Sequence, residues 1–293
     1  SAASDVYKRQ YVGPCRCGRE HTLETKKVVV EYNALDKFDQ YMDEVGLTGK
    51  RAVIYDTNTY NLPTLRHVRA DQEIVLNAEG LHSEKGMIED MMRQLDHPDV
   101  IVAVGSGTIM DFGRYPAYHL GIPFVAVPTL ASSDGFTANI CSIIIDGQKK
   151  SIPMQAAALV VCDLNVVSGA PLWLTVSGIS DILAKYISLA DWKIAHLVSG
   201  EYYCPMVADL AQEALTIMRK AADDMAAGGK PDFEAMTMAQ MISGLTMQLL
   251  NHSRAASGAE HLMAHLVEMK PPRFENAHGM HGQCVGVGTY LCA

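Results

Sequence analysis

Short apolar runs alternate with amphipathic stretches over the first half of the chain. β-branched residues cluster in five runs that predict strands, namely KKVVVEY (26–32), RAVIYD (51–56), EIVLNA (73–78), DVIVAVGSG (99–107) and GIPFVAVPT (121–129). Helical patterns lie between them, over 34–45 and 83–95. Strands that alternate with helices predict a parallel sheet with right-handed crossovers.

The pattern changes in the second half of the chain. ANICSIIIDGQKKSIPM (138–154) predicts a hairpin that turns at Asp146 and Gly147. From about Asp163 onward, long segments rich in Ala, Leu and Met predict helices, with GGKP (228–231) as a break between two of them. We therefore expect an α/β, Rossmann-like N-terminal domain with a parallel sheet (11–163) and an all-α C-terminal domain (164–293).

Both ends of the chain look unlike a natural domain. Residues 1–10, SAASDVYKRQ, carry no signal-peptide apolar region and resemble a translated sequencing adapter, so we interpret them as a non-native segment. GVGTYLCA (286–293) stops inside an apolar run without a cap or turn signal. We therefore expect the helical domain to be truncated.

Composition narrows the class of protein. The chain has 293 residues, 48% of them hydrophobic, and a net charge of −9 from 24 basic and 33 acidic residues. The sequence contains no Lys/Arg block that would bind nucleic acid. We see no apolar stretch near the roughly 18 to 20 residues that a membrane span needs. Seven scattered cysteines, an odd number, indicate a reducing compartment, so we predict a cytoplasmic protein.

A glycine turn follows the fourth predicted strand, in VAVGSGTIMD (102–111). Gly105 and Gly107 let backbone N–H groups approach a pyrophosphate at the start of the next helix. A full dinucleotide fingerprint needs a third glycine at 110, where this chain has Met110, so an ordinary tight turn is the alternative. Asp56, at its own strand end, could accept the ribose hydroxyls of an adenosine or simply be a turn aspartate.

PTLASSDGF (128–136) follows the fifth predicted strand, at the end where α/β sheets bind ligands. Thr129, Ser132, Ser133 and Asp134 are small polar residues that suit hydrogen bonds to a ligand. A plain polar loop would look similar, so this segment alone does not identify a site.

Acidic and histidine residues in the helical half suit a metal. Asp181 begins one predicted helix, His261 and His265 share a face of another, and His278 and His281 precede the last. One aspartate and two histidines from separate helices can hold a divalent metal with positions open for substrate. Capped or surface histidines are the alternative that composition leaves open.

CRCGREH (15–21) supplies Cys15, Cys17 and His21 as possible metal ligands. Three ligands in this spacing are not a standard zinc pattern, so we favour a structural role or no metal role.

These motifs, in this order, resemble the superfamily of iron-type alcohol dehydrogenases, glycerol dehydrogenases and dehydroquinate synthases. Within it the chain most resembles the bacterial branch of the sn-glycerol-1-phosphate dehydrogenases. The matching stretches are CRCGREHTLETKKVVVEYNAL, AVGSGTIMDFGRY, PTLASSDGFTANIC, VVCDLNVV, SGISDILAKYISLADWK, SGAEHLMAHLVEM and HGQCVGVGT. The resemblance extends over almost everything after residue 13.

The resemblance implies a role for each matching residue. Asp181, His261 and His281 would hold one divalent metal ion (zinc, nickel or iron), the HGQCVGVG context favouring His281 over His278. Asp134, Asp181 and His265 would be catalytic. NAD or NADP would bind to Asp56, Gly105, Ser106, Gly107, Thr108, Ile109, Thr129, Leu130, Ala131 and Ser132. The family often has a serine where this chain has Ala138, so either Thr137 replaces that cofactor contact or it is lost.

The implied reaction interconverts dihydroxyacetone phosphate and sn-glycerol 1-phosphate by hydride transfer. A divalent metal would stabilise charge on the substrate oxygen, and His265 is our candidate proton donor. Lys185 and Arg254 are candidates for the substrate phosphate, although a solvated helix lysine fits equally well. Asp56 favours NAD by repelling a 2′-phosphate.

Other functions remain open. A glycerol dehydrogenase acting on an unphosphorylated polyol is one alternative, and an inactive nucleotide-binding fragment is another. Dehydroquinate synthase is disfavoured because its metal histidines lie in a different sequence pattern. The expected partner is a phosphorylated small molecule, with no nucleic acid and no membrane span, and we expect a homodimer or higher homo-oligomer for the full-length protein.

Overall fold

A computed structural model describes residues 11–269 and 279–293. It divides the chain into two compact units. The first unit comprises 24–130 and 139–170, and the second comprises 11–23, 131–138 and the described residues from 171 onward. The segment interpreted as non-native (1–10) and His278 lie outside the described residues.

The strands of the described residues belong to one large sheet and two hairpins. In chain order they are β1 (Gly13–Pro14), β2 (Glu20–His21), β3 (Lys27–Glu31), β4 (Arg51–Asp56), β5 (Gln72–Leu76), β6 (Val100–Gly105), β7 (Phe124–Pro128), β8 (Ile140–Ile145), β9 (Gln148–Pro153) and β10 (Leu159–Asp163). The large sheet is parallel, with the order β3-β10-β7-β6-β4-β5. The predicted fold class, a parallel α/β sheet followed by helices, is confirmed.

β10 is the one strand of the large sheet that the sequence pattern did not predict. It lies between β3 and β7, with Val160 opposite Val28 on one side and Ala126 on the other. Its LVVCD run is buried throughout. A short apolar run of this kind has no period that separates a central strand from the start of a buried helix.

The hairpin predicted over 138–154 is confirmed. β8 pairs with β9 antiparallel, and Ile145 lies opposite Gln148. Asp146 and Gly147 turn the chain with φ of 52° and 73°, the positive pair that a type I′ hairpin turn requires.

In the first unit, helices alternate with the strands along the chain. Longer helices make up most of the second unit. In chain order the helices are α1 (Phe38–Glu44), α2 (Thr57–Tyr60), α3 (Lys85–Met92), α4 (Gly107–Leu120), α5 (Leu164–Val167), α6 (Leu172–Leu183), α7 (Lys185–Ser199), α8 (Pro205–Ala226), α9 (Phe233–Leu250), α10 (Ala259–Glu268) and α11 (His281–Cys292). Short 3₁₀ turns cover Ala34–Lys37 and Ser253–Ala255. The predicted break at 228–231 separates α8 from α9.

α6 and α7 form one apolar helical stretch, Leu172–Ser199. The sequence pattern had predicted no apolar stretch near 18 to 20 residues, so that expectation was wrong. The 28 residues of this stretch, with a mean hydropathy of 1.2 in the most apolar window, would suffice to cross a membrane by length and composition alone. Half of that window is buried inside the protein, and it contains the buried Asp181 and Lys185. These features are those of a core helix.

Each unit has its own apolar core. In the first unit, Val53, Val102 and Val161 of the sheet pack with Phe38 and Met42 of α1. In the second unit, α6 to α9 bury a core that includes Ile182, Trp192, Met218 and Met236. This second core fixes α6, which carries Asp181. A smaller apolar cluster, with Ala264 and Val285, packs α10 against α11, the helices that carry the histidines described next.

Candidate active site

The structure brings Asp181, His261 and His281 together in the second unit. They lie on α6, on α10 and at the first position of α11, and one ligand atom of each lies within 4.8 Å of the others. Asp181 Oδ1 is 3.5 Å from His261 Nε2 and 3.9 Å from His281 Nε2. Three ligand atoms that converge on one point are what a bound cation requires.

Glycines let α11 approach its neighbours closely enough to place His281. A Cβ on Gly282 would collide with the backbone oxygen of Ser177 on α6, and one on Gly288 would collide with that of Glu260 on α10. The glycines of the HGQCVGVG motif are therefore packing positions, and larger side chains there would push His281 away.

Two carboxylates stand behind the histidines. Glu260 Oε1 lies 2.8 Å from His261 Nδ1, and Glu268 Oε1 lies 2.6 Å from His281 Nδ1. When each carboxylate accepts a hydrogen bond from Nδ1–H, the Nε2 lone pair is directed toward Asp181, as in many carboxylate–histidine–metal sites. Neither glutamate was predicted from the sequence, although Glu260 directly precedes His261.

Asp181 has a buried oxygen that suits a cation. Its Oδ2 accepts a hydrogen bond from the backbone N–H of Asp134 (3.1 Å), whereas the buried Oδ1 accepts none from the described residues. Burial raises the pKa of Asp181, but Lys185 and the two histidines together hold it well below its usual range. An ionised carboxylate oxygen facing two imidazole nitrogens matches the ligand set of zinc, nickel or ferrous iron.

His261 lies in surroundings that favour a positive charge. Its burial lowers the pKa, but the carboxylates of Asp181 and Glu260 outweigh that and raise the pKa to about 9. The two carboxylates of Asp181 and Glu260 place negative charge on both sides of the imidazole. The same negative charge favours a metal ion at this point.

Asp134 pairs with Lys185 next to Asp181, one of the three converging residues. Lys185 Nζ, which is fully buried, lies 2.7 Å from Asp134 Oδ2 and donates to the backbone oxygen of Asp181 (2.9 Å). Ser243 Oγ donates to the same Asp134 oxygen (2.7 Å). Burial lowers the pKa of Lys185, but Asp134 and Asp181 raise it above its usual value, so the ammonium stays charged.

The two candidate phosphate ligands both have other partners. Lys185 is buried in its pair with Asp134. Arg254 donates from Nε to Glu201 Oε1 (2.9 Å) and from Nη2 to Glu201 Oε2 (3.4 Å), so this carboxylate already pairs with two of its nitrogens. We therefore do not retain the phosphate role for either residue.

His265, on α10, lies beside His261 and His281. Its ring is stacked on that of His281, with centroids 5.9 Å apart and an angle of 26°, and lies 6.2 Å from that of His261. The side chain is partly exposed, unlike that of His261. His265 is thus next to the predicted metal position and accessible to a proton from solvent.

The candidate dinucleotide residues lie at the carboxyl edge of the sheet in the first unit. Asp56 ends β4 and Gly105 ends β6, and these are adjacent parallel strands with Ile54 opposite Ala103. Thr129 N–H donates to the Gly105 oxygen (3.2 Å). Asp56 Oδ1 also accepts from the Thr59 N–H (2.7 Å), which caps α2, so the turn-aspartate interpretation holds for that oxygen.

The start of α4 is open to an anion. A Cβ on Gly105 would lie 2.9 Å from Ile109 Cγ1, so the glycine allows α4 to pack directly on β6. The hydroxyl of Ser106, the N-cap, makes no capping bond in the described part of the chain. The Ser106 side chain therefore does not accept a hydrogen bond from the backbone N–H groups of the first turn of α4. These N–H groups suit a phosphate oxygen.

The remaining candidates divide between the two units. Thr129 and Leu130 end one segment of the first unit, whereas Ala131 and Ser132 begin a segment of the second. Thr137, considered as a replacement for the serine absent at Ala138, is fully buried and donates to the Met241 oxygen (2.8 Å). Its hydroxyl is therefore not free for a cofactor.

Comparisons with known proteins agree with this geometry. Residues 29–171 match the family model described as iron-containing alcohol dehydrogenase. A glycerol-1-phosphate dehydrogenase [NAD(P)+] of Bacillus licheniformis is 34% identical over 97% of this chain and 74% of its own length. One of Halalkalibacterium halodurans is also 34% identical, with the same coverage. The crystal structure of a probable glycerol dehydrogenase from Sinorhizobium meliloti superposes with a TM-score of 0.72 at 21% identity, over 90% of this chain and 75% of that one.

Proposed function

The chain belongs to the glycerol-1-phosphate dehydrogenases of the iron-containing alcohol dehydrogenase family, and from that premise we propose that it interconverts dihydroxyacetone phosphate and sn-glycerol 1-phosphate with NAD(P)H. The observation that carries the proposal is the convergence of Asp181, His261 and His281, with a carboxylate behind each histidine. This arrangement suits a catalytic metal because three protein ligands leave coordination positions for substrate.

The metal ligands would be Asp181 Oδ1, His261 Nε2 and His281 Nε2. When bound, the cation would polarise the substrate carbonyl and the nicotinamide would supply the hydride. Glu260 and Glu268 hold the two imidazole rings in the tautomer that leaves Nε2 free. The Lys185–Asp134 pair places a buried positive charge next to Asp181, which keeps that carboxylate ionised.

A proton must reach the substrate oxygen when hydride is added to the carbonyl carbon. A ring nitrogen of His265 is our candidate to hold that proton, because the side chain is partly exposed and stacks on His281. Asp134, also predicted to be catalytic, would act through its position: its backbone N–H fixes Asp181 and its carboxylate neutralises Lys185.

The dinucleotide would bind at the carboxyl edge of the sheet in the first unit. The N–H groups that open α4, at Gly107, Thr108 and Ile109, would bind its pyrophosphate, and Asp56 would bind the adenosine ribose. Thr129 and Leu130, which follow β7 in the same unit, would also contact the dinucleotide, and Ala131 and Ser132 remain predicted cofactor residues. Asp56 favours NAD over NADP, because its carboxylate repels a 2′-phosphate.

We further propose a cytoplasmic location, from the reduced state that seven scattered cysteines suggest, and a homodimer or larger homo-oligomer for the full-length protein.

The test is ketone reduction by the purified protein, followed as NADH and NADPH oxidation. Dihydroxyacetone phosphate should be reduced with a higher kcat/KM than dihydroxyacetone. A preference for dihydroxyacetone, or for glycerol in the reverse direction, would identify a glycerol dehydrogenase instead. Cofactor binding without reduction of either ketone would indicate an inactive nucleotide-binding protein and would overturn the proposal.

A further inference from the structure

Three cysteines and a histidine form a second cluster in the second unit. Cys15 and Cys17 lie in the loop between β1 and β2, His21 lies on β2, and Cys204 is the N-cap of α8. One ligand atom of each lies within 4.8 Å of the others. None of these residues belongs to the Asp181 site.

The spacing of the four ligand atoms matches a tetrahedron around zinc. Zn–S bonds of about 2.3 Å and Zn–N bonds of about 2.0 Å imply S···S and S···N edges of roughly 3.8 and 3.5 Å. The Sγ atoms of Cys15 and Cys204 are 3.9 Å apart, and His21 Nε2 lies 3.4 Å from the Sγ atoms of Cys17 and Cys204. A disulfide would bring two of the sulfurs to about 2.05 Å.

The neighbouring groups orient these ligands. His21 Nδ1 lies 2.6 Å from the backbone oxygen of Leu249, so its N–H donates there and Nε2 faces the sulfurs. Tyr202 Oη lies 3.0 Å from Cys17 Sγ, within reach of a hydrogen bond to a thiolate. Cys204 stands at the N-terminus of α8, where the helix dipole favours a negative sulfur.

We propose that Cys15, Cys17, His21 and Cys204 bind one structural zinc ion, distinct from the predicted catalytic metal. Four protein ligands, three of them thiolates, leave no open position for a substrate and select zinc among the common divalent metals. The ion ties the 13–21 hairpin to the start of α8. The motif itself supplies only three ligands in a non-standard spacing, because the fourth, Cys204, is 183 residues from His21.

Zinc release on thiol modification tests the site in the unaltered protein. Titrating the holoprotein with an organomercurial, with a chromogenic chelator as the zinc indicator, should release one zinc per chain. The Asp181→Asn variant, which lacks a ligand of the other site, should release the same amount. Modification of all accessible thiols without release of zinc would overturn the proposal.

Metal analysis of variants provides the matched comparison. Cys17→Ser and Cys204→Ser should each contain one zinc fewer per chain than the parent, whereas Cys292→Ser, at an exposed cysteine, should match it. Should the variants fail to fold, cobalt substitution of the parent replaces them: Co²⁺ alone should give thiolate-to-cobalt charge-transfer absorption. Absence of that absorption, or a disulfide joining two of these cysteines in the purified protein, would refute the site. The result does not depend on the proposed dehydrogenase activity.

Discussion

Lys185 Nζ lies 2.7 Å from Asp134 Oδ2, with the lysine side chain fully shielded from solvent and the aspartate only 11% exposed. The same ammonium donates to the backbone oxygen of Asp181, one turn earlier on the helix. The Lys185 ammonium thus places a positive charge beside the buried Asp181 carboxylate, which the proposed metal site needs in its ionised form. Lys185, which the sequence suggested for phosphate binding, therefore supports the proposed metal ligand Asp181 instead.

Lys185→Met should destabilise the fold strongly. Removing one partner of a buried ion pair leaves Asp134 charged and without compensation, at a cost of about 3 to 5 kcal/mol. The free energy of unfolding, measured by urea denaturation, checks this. Lys220→Met is the control, because Lys220 forms an exposed pair with Asp224 and its loss should leave the stability nearly unchanged. Equal losses for the two variants would contradict the role of the Lys185–Asp134 pair.

Glu268→Gln should weaken metal binding while the fold persists. The variant removes the carboxylate that orients His281, and losses of such outer ligand partners cost about 10- to 100-fold in metal affinity. Competition with a metallochromic chelator measures the affinity. Glu234→Gln, at an exposed position on α9, should leave the affinity unchanged. An unchanged affinity for Glu268→Gln would mean that this carboxylate does not support the site.

The metal-free protein should lose stability as the pH rises from 6.5 to 9. The folded-state pKa of His261 is raised to about 9 because, despite its burial, Asp181 and Glu260 favour its charged form. The stabilisation is fully present below the unfolded value of about 6.5 and disappears as the pH passes the folded value, a loss of about 3 kcal/mol.

Urea denaturation across this pH range measures that loss. His261→Gln should show a much smaller dependence on pH, because it carries no titrating imidazole. Parallel pH profiles for the parent and the variant would contradict the assignment.

Asp56→Asn should reduce the preference for NADH over NADPH. The amide oxygen can still accept from the Thr59 N–H and cap α2, but the negative charge that repels a 2′-phosphate is lost. We expect the ratio of the two dissociation constants to change by about tenfold, which corresponds to about 1.4 kcal/mol. Fluorescence titration measures both constants. An unaltered ratio would leave Asp56 with the capping role alone.

The sequence predicted the elements whose signals are local. The β-branched runs identified five of the six strands of the sheet, and Asp146-Gly147 identified a hairpin. β10 was missed because its run leads directly into α5 and lacks a distinguishing period. Residue types and helical spacing indicated a metal site, but the choice of His281 over His278 came from the family resemblance.

Tertiary contacts explain what the sequence could not predict. A lysine in a helical pattern gives no sign of its burial, so Lys185 was considered for a phosphate that it cannot reach from its pair with Asp134. Glu268 supports His281 through a hydrogen bond that only the packing of α10 against α11 creates. Cys204 lies next to Cys15, Cys17 and His21 only because tertiary packing brings the start of α8 to the 13–21 hairpin.

Metal reconstitution tests the central claim most directly. Protein stripped with a chelator is titrated with a divalent metal, and dihydroxyacetone phosphate reduction is followed as NADH oxidation alongside the metal bound. Our account predicts that the stripped parent is inactive and regains activity in proportion to the metal held at Asp181, His261 and His281. It also predicts that Asp181→Asn, folded by circular dichroism, regains none. Full activity of the stripped parent, or parent-like activity of Asp181→Asn, would contradict it.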